Sequence, residues 1–195
     1  QKESVMNKRL SAVLLSALFS VSAFAAPTSY SVDPTHTFAV ASWSHFGFST
    51  PTAVFAGAEG TITYDAEQPA QSDIAISVSI ETVDTFVDKL TEEFLGEEWF
   101  DAATYPKATF VSTKVVPKGD NKFAVTGDLT IKGTTKTVTM DATLNGMGEH
   151  PMSKKQAIGF DAETVIKRSD FGIDQYVPYV GDEITLRLTT EAQAK

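Results

Sequence analysis

Hydrophobic and polar residues alternate along most of the chain, which is the pattern of β-strands that place one face on a core. In SDIAISVSIE, for example, Ile74, Ile76 and Val78 alternate with small or polar residues, and a strand sends such alternate side chains to one face. Similar runs lie between turn-forming stretches such as AEQP, PKGDN and NGMGEHP. The pattern predicts eight antiparallel strands, at 36–46, 54–64, 73–81, 107–116, 122–131, 135–145, 155–168 and 183–190.

One segment, DTFVDKLTEEFLGEEWFD, departs from this alternation. Phe86, Leu90 and Phe94 recur every four residues, Asp84 precedes them as an N-cap, and Gly96 follows them as a stop signal. The spacing predicts a single short helix. Its one apolar stripe must be buried, and we expect the stripe to cover one mouth of the fold.

Eight strands with one helix favour a closed antiparallel β-barrel, because closure removes the exposed strand edges of an open sheet. A barrel of about eight strands is either filled by its own side chains or holds one small ligand. Ala39 and Ala41, on the face shared with Trp43, would leave space inside, whereas large aromatic residues such as Phe55, Phe110 and Phe160 could fill it. The pattern predicts an all-β, eight-stranded barrel and leaves both interiors open.

The first 25 residues are typical of a secretory signal peptide. Lys8 and Arg9 precede an apolar run to about Phe19, and Ala23 and Ala25 form a small-residue cleavage site. We therefore expect residues 1–25 to be a removed leader and residues 26–195 to be one periplasmic domain. The apolar run is short and interrupted by serines, so a stable membrane span is not predicted.

Composition narrows the possible partners. The chain has no cysteine and a net charge of −9, so disulfides and lipid acylation are excluded and nucleic acid is not an expected partner. The sequence neither predicts nor excludes a homodimer.

Candidate chemistry is sparse. The chain has only His36, His45 and His150, with no HExxH motif, so no metal site is predicted. It also has no GxSxG elbow and no glycine-rich nucleotide loop, and the acidic segment 81–101 is typical of an exposed face rather than a buried acid and base pair. We therefore predict no enzymatic activity and no cofactor.

The two histidines of DPTHTFAVASWSHFGFST are nine positions apart, so strand parity places them on opposite faces. We expect His45 to lie on the inward face with Trp43, where it either bonds a neighbouring strand or donates to a ligand. His36 is expected to fix the DPTH turn. Arg168 and Asp170 either pair at a strand-to-loop bend or frame a pocket rim.

Five stretches together resemble the YceI-like family of secreted polyisoprenoid-binding proteins. They are YSVDPTHTFAVASWSHFGFS, GAEGTITYD, WFDAATYPKATFVST, VTGDLTIKGTTKTVTM and IKRSDFGI, and the resemblance extends from about Tyr30 to about Glu191. It implies a lipocalin-like barrel in the bacterial periplasm. The barrel interior would receive a long isoprenoid or other lipid-like tail, such as that of a quinone, without chemistry on it.

The chain departs from the family where an Arg-x-x-His-Leu pattern is expected, because Leu90 and Glu93 replace the basic pair. This departure favours a neutral head group over a pyrophosphate. An alternative function is a filled barrel that acts through its acidic surface, Glu92 to Glu98, on a protein partner or in an envelope stress response. For the lipid-binding reading, the candidate ligand-binding residues are Trp43, His45, Phe55, Ile76, Val78, Leu90, Phe94, Phe110, Phe160, Arg168, Asp170 and Phe171.

Overall fold

The computed structural model describes residues 26–195, and the predicted signal peptide lies outside these residues. The described chain is almost entirely β-structure. Three short 3-10 helices occupy Pro69–Gln71, Ile80–Thr82 and Arg168–Phe171, and there is one α-helix, α1 (Asp88–Leu95). The strands are β1 (Thr28–Val32), β2 (Phe38–Ser42), β3 (Thr52–Ala56), β4 (Glu59–Tyr64), β5 (Asp73–Ser79), β6 (Val83–Asp84), β7 (Lys107–Gly119), β8 (Lys122–Ile131), β9 (Thr134–Glu149), β10 (Gln156–Lys167) and β11 (Glu183–Ala194).

The strands close into an antiparallel barrel. The hydrogen-bonded order runs β1-β4-β5-β7-β8-β9-β10-β11, and β1 pairs with β11 to complete the ring. The other three strands, β2, β3 and β6, continue the sheet from β11 in that order. β11 can pair on the same edge with two strands because Ala192 to Ala194 pair with β1 and Thr185 to Thr189 pair with β2. The prediction of an eight-stranded barrel with one helix is therefore confirmed.

The barrel has eight strand positions, here called staves, and three of them are each occupied by two short strands instead of one continuous strand. β1 and β2, β3 and β4, and β5 and β6 each form the two halves of one stave, because successive halves pair with the same neighbours. The DPTH turn separates the first two halves, and Gly57, at φ +71, separates the second two. A positive φ is accessible to glycine without a steric penalty, so Gly57 allows the stave to bend.

Alternation determines which side chains enter the barrel. In β8, Phe123, Val125, Gly127 and Leu129 are buried while the residues between them are half-buried. The inward residues of all staves form one continuous hydrophobic core. The fold therefore places a long apolar interior along the barrel axis.

Candidate ligand-binding site

The barrel interior contains two apolar chambers, one after the other along the axis. Several long strands contribute successive inward residues to both: in β11, Ile184 and Leu186 line chamber 1, and Leu188 and Thr190 line chamber 2. Among the described residues, none lines both chambers. Chamber 1 is bordered by α1 and chamber 2 lies toward the opposite end of the barrel.

The chambers are small in the side-chain conformations that the structure shows. Their volumes are about 130 Å³ for chamber 1 and about 110 Å³ for chamber 2. An apolar cavity of about 150 Å³ accommodates one benzene molecule, so each chamber holds roughly a six-carbon group. A longer apolar chain can occupy the barrel only if side chains move.

Nine of the predicted ligand-binding residues line these chambers, although contact with a ligand stays a prediction for each of them. Chamber 1 is lined by Trp43, Phe55, Val78, Phe94, Arg168 and Phe171. Chamber 2 is lined by Ile76, Phe110 and Phe160.

An aromatic cluster closes the α1 end of chamber 1. The ring of Phe94, from α1, stacks on Trp99 with a centroid distance of 4.9 Å and also contacts Trp43 at 5.6 Å and Phe100 at 5.9 Å. Phe94 is buried, and Trp99 and Phe100 are half-buried. The helix therefore contributes one aromatic side chain to the wall of chamber 1, in agreement with its expected position at a mouth.

Arg168 is a buried cation at the same end. Its guanidinium donates hydrogen bonds to the carbonyl oxygens of Gly181 (2.9 Å), Ile173 (3.0 Å), Gln175 (2.7 Å) and Val180 (2.8 Å). The cation also lies 5.8 Å from the centre of a Trp99 ring. Burial lowers the pKa of Arg168, which still leaves an arginine charged.

These bonds define what Arg168 can offer a ligand. An arginine has five N–H donors, and four of its bonds go to the loop 173–181. At most one donor is left for a head group. Arg168 therefore fixes the loop 173–181, which is called the mouth loop below. The predicted alternative, a local ion pair between Arg168 and Asp170, is wrong.

Chamber 2 has a different aromatic lining. The rings of Tyr64, Phe123 and Phe160 contact one another edge to face, with centroid distances of 5.9 to 6.3 Å. Thr37 and Thr190 share a 3.1 Å hydrogen bond between their hydroxyls, and burial raises the pKa of Tyr64. The few polar groups of this chamber are therefore paired or neutral.

The predicted orientation of His45 is wrong. The side chain is exposed, lines neither chamber, and packs edge to face on Phe46 at 4.4 Å. β2 ends at Ser42, and a turn brings His45 N–H to the carbonyl of Ser49 (2.9 Å). Strand parity does not extend through a turn, so the inward face ends at Trp43.

Asp170 and Leu90 also lie outside the chambers. Asp170 is exposed and borders a polar cleft of about 700 Å³ on the outer wall, between β9 and β10. Leu90 is half-buried against the core but lines neither chamber. The prediction that Asp170 and Leu90 line the ligand-binding interior is therefore wrong.

The helix begins later than the sequence pattern predicts. Asp84 belongs to β6 and accepts a 2.7 Å hydrogen bond from Phe86 N–H, so it is not the N-cap. Phe86 precedes the helix at φ +63 and is 70% exposed. The predicted apolar stripe therefore loses its first member, whereas the predicted stop at Gly96 is confirmed as the C-cap.

Several chamber residues were not among the predicted site residues. Tyr64 and Ile62 follow the alternation of GTITYD, so their inward position could have been found from that run. Ile173 and Val180 lie in the irregular loop before β11 and line chamber 1. No periodicity marks a loop residue as inward, and the sequence offered no signal for these two.

The expected role of His36 is confirmed. Its Nδ1 lies 2.9 Å from Asp33 Oδ2, while Asp33 Oδ1 accepts hydrogen bonds from the backbone N–H and the hydroxyl of Thr35. The His36 bond, together with those from Thr35, lowers the pKa of Asp33 to about 2. The same bond raises the pKa of His36. These contacts hold the turn that divides the first stave.

The turn gives a testable pH dependence. The contribution of Asp33 is complete above its ordinary pKa of 3.8 and is lost as the pH falls toward about 2. The contribution of His36 is complete below about pH 6.5 and is lost as the pH rises through its higher folded pKa. NMR titration should give a His36 pKa above the ordinary value, and Asp33→Asn should return it. An unchanged His36 pKa in Asp33→Asn would show that the bond does not form in solution.

Within residues 26–195, no group of three or more side chains of the metal-binding types is gathered at one place. In the same range, every helix is too short or too polar to cross a bilayer.

Comparisons with known proteins give consistent results. A model of the YceI-like domain matches residues 30–192. Protein YceI of Escherichia coli O6:H1 is 33% identical over 188 residues, which cover 95% of this chain and 97% of the relative. Protein YceI of Salmonella arizonae is 32% identical over the same length and coverage.

Solved structures support the same grouping. BcnA of Burkholderia cenocepacia matches with a TM-score of 0.75 and 30% identity, over 83% of this chain and 99% of that chain. A polyisoprenoid-binding domain from Saccharophagus degradans matches with a TM-score of 0.67, over 86% of this chain and 99% of that chain. Its identity is 16%, so this second match concerns the fold alone.

Proposed function

The chain belongs to the YceI-like domain family, and from this membership and its two apolar chambers we propose that it binds a long isoprenoid or other lipid-like chain without chemical change. The binding would serve transport or storage. We further propose that residues 1–25 are a removed leader and that residues 26–195 act as one domain in the periplasm. The Saccharophagus degradans domain of the same fold, which is described as polyisoprenoid-binding, supports the choice of ligand class.

The observation that carries this proposal is the apolar interior. The 19 residues that line chamber 1 include one charged side chain, Arg168, and its hydrogen bonds go to the protein backbone. Burial of apolar surface is the main source of affinity for such a ligand. At about 0.3 kcal/mol per heavy atom, a tail of about 40 carbons would reach about −12 kcal/mol, near nanomolar affinity, before the free-energy cost of moving the side chains inside the barrel is subtracted.

The polar groups near chamber 1 favour a neutral head group. Arg168 has at most one donor to spare, and Leu90 and Glu93 stand where the family pattern has a basic pair. A pyrophosphate would meet a single cation in this region, Arg168, most of whose N–H donors are already bonded to backbone carbonyls. We therefore propose a quinone, an alcohol or an amide as the head group.

Chain-length dependence tests the proposal. Neutral prenyl ligands from about 10 to about 40 carbons should bind with affinity that rises with length, because each added carbon buries more apolar surface. The fluorescence of Trp43 and Trp99, the chain's two tryptophans, reports binding because both line chamber 1. His45→Phe, which alters an exposed position, serves as the control and should change affinity by less than about twofold. A flat series would overturn the proposal.

A second candidate function is an interaction module for an envelope protein partner. The small chamber volumes favour it, as do the exposed carboxylates Glu92, Glu93, Glu97 and Glu98 at one end of the barrel. This candidate predicts that no prenyl ligand binds at any length. The same titration therefore separates the two functions.

A further inference from the structure

Gly127 marks the level at which the two chambers are divided. It is buried in β8 between Val125, which lines chamber 2, and Leu129, which lines chamber 1. By strand parity its missing side chain would point inward, as those of its two neighbours do. The space beside Gly127 therefore connects the two chambers unless another group fills it.

Phe110 fills that space. A Cβ added to Gly127 would lie 2.5 Å from Cζ and 2.8 Å from Cε2 of the Phe110 ring, and 2.5 Å from the carbonyl oxygen of Val111, all closer than a Cβ atom approaches other atoms in proteins. The tip of the ring is thus in van der Waals contact with the Gly127 backbone. Phe110 is 8% exposed, and it pairs with Leu129 on one side and with Ile76 on the other.

The division has a consequence for long ligands. A chamber of about 130 Å³ holds roughly a six-carbon group, so a longer tail that enters chamber 1 must pass the level of Gly127 to gain further burial. The ring of Phe110 covers Gly127 at that level. If the ring blocks the passage, a long tail binds only the conformations in which the ring has moved, and its apparent affinity falls in proportion to the fraction of time that such conformations exist.

We propose that Phe110, seated on Gly127, is the gate between the two chambers and determines how strongly the barrel favours long tails over short ones. This inference rests on the proposed function, since it concerns the same ligand. It assigns to Phe110 a role in length specificity that the neighbouring phenylalanines do not share.

The matched control is Phe123. It lines chamber 2 and is 7% exposed, but it packs on Tyr64 and Phe160, away from Gly127. Phe110→Ala and Phe123→Ala remove the same atoms from the same chamber. Only the first removes the group that covers Gly127.

The experiment measures the ratio of affinities for a long and a short prenyl alcohol, of about 40 and about 5 carbons, the shorter of which fits within one chamber. If the gate is open about a tenth of the time in the natural protein, Phe110→Ala should raise this ratio about tenfold. Phe123→Ala should leave the ratio unchanged. Phe110→Leu, whose side chain is too short to cover Gly127, should raise it as well and replaces the alanine variant if that variant fails to fold.

The outcomes distinguish the gate from the proposed function. If the natural protein binds both alcohols but the ratio stays the same in the Phe110 variants, or rises equally in Phe123→Ala, the gate is overturned and the lipid-binding proposal stands. If the natural protein binds neither alcohol, the proposed function itself has failed.

Discussion

Replacing Arg168 by methionine is expected to lower the free energy of unfolding by about 3 kcal/mol, because four backbone carbonyls lose their donor at once. Methionine retains most of the apolar stem but donates no hydrogen bond. For a domain of this size the loss corresponds to a fall in Tm of roughly 10 °C. Thermal and urea unfolding, followed by circular dichroism, would measure it.

The chain contains a suitable control arginine. Arg187 lies on the outer surface, 70% exposed, and pairs with Glu163 at 2.6 Å. An exposed pair of this kind contributes about 0 to 1 kcal/mol, so Arg187→Met should leave Tm almost unchanged. Equal effects of the two substitutions would contradict the role of Arg168 in holding the mouth loop.

Phe94→Ala is expected to weaken ligand retention as well as the fold. The ring is the contribution of α1 to the wall of chamber 1 and packs on Trp43, Trp99 and Phe100. Truncating a buried phenylalanine costs about 3 kcal/mol of stability. A bound tail loses its cover as well, and we expect its dissociation to be about 100-fold faster, since most affinity changes appear in the dissociation rate. Stopped-flow displacement would measure that rate.

Ile158→Ala is the control for Phe94. Ile158 is 1% exposed and lines neither chamber, so its truncation should cost a similar 2 to 5 kcal/mol of stability. It should leave ligand dissociation unchanged. If both variants release ligand at the same increased rate, Phe94 is an ordinary core residue and α1 is not a lid.

The sequence pattern was a good guide wherever side-chain alternation is set by burial. In β8 the inward residues Phe123, Val125 and Leu129 follow the alternation through the whole strand, because a one-residue slip would expose all of them. The eight predicted staves are present for the same reason. Their interruptions were not predicted: β1 (Thr28–Val32) lies wholly before the predicted strand 36–46, and β6 (Val83–Asp84) lies after the predicted strand 73–81.

Prediction failed where the backbone leaves a regular element. Counting from Trp43 predicts an inward His45, although the strand ends at Ser42. The spacing of Phe86 predicts a place on the helical stripe, although this residue precedes the helix with φ at +63. Both errors arise from local turns that hydrophobic periodicity does not report.

Contacts made by an irregular loop and the space beside a glycine could not be predicted from the alternation either. The four carbonyls that Arg168 binds come from the loop 173–181, where no periodicity marks their direction. Gly127 occupies an inward position without a side chain, so the sequence suggests an empty space there. The structure shows that the Phe110 ring covers this position. The division of the interior into two chambers therefore required the three-dimensional structure.

The most direct test of the account is to identify and quantify what the protein carries. The chain would be exported with its own leader, recovered from the periplasm, and extracted with organic solvent for mass spectrometry. The account predicts a neutral isoprenoid or other long-chain lipid at about one molecule per chain. Repeated recovery of protein without any such lipid, from cells whose envelope contains it, would contradict the claim that the barrel interior is a lipid-binding site.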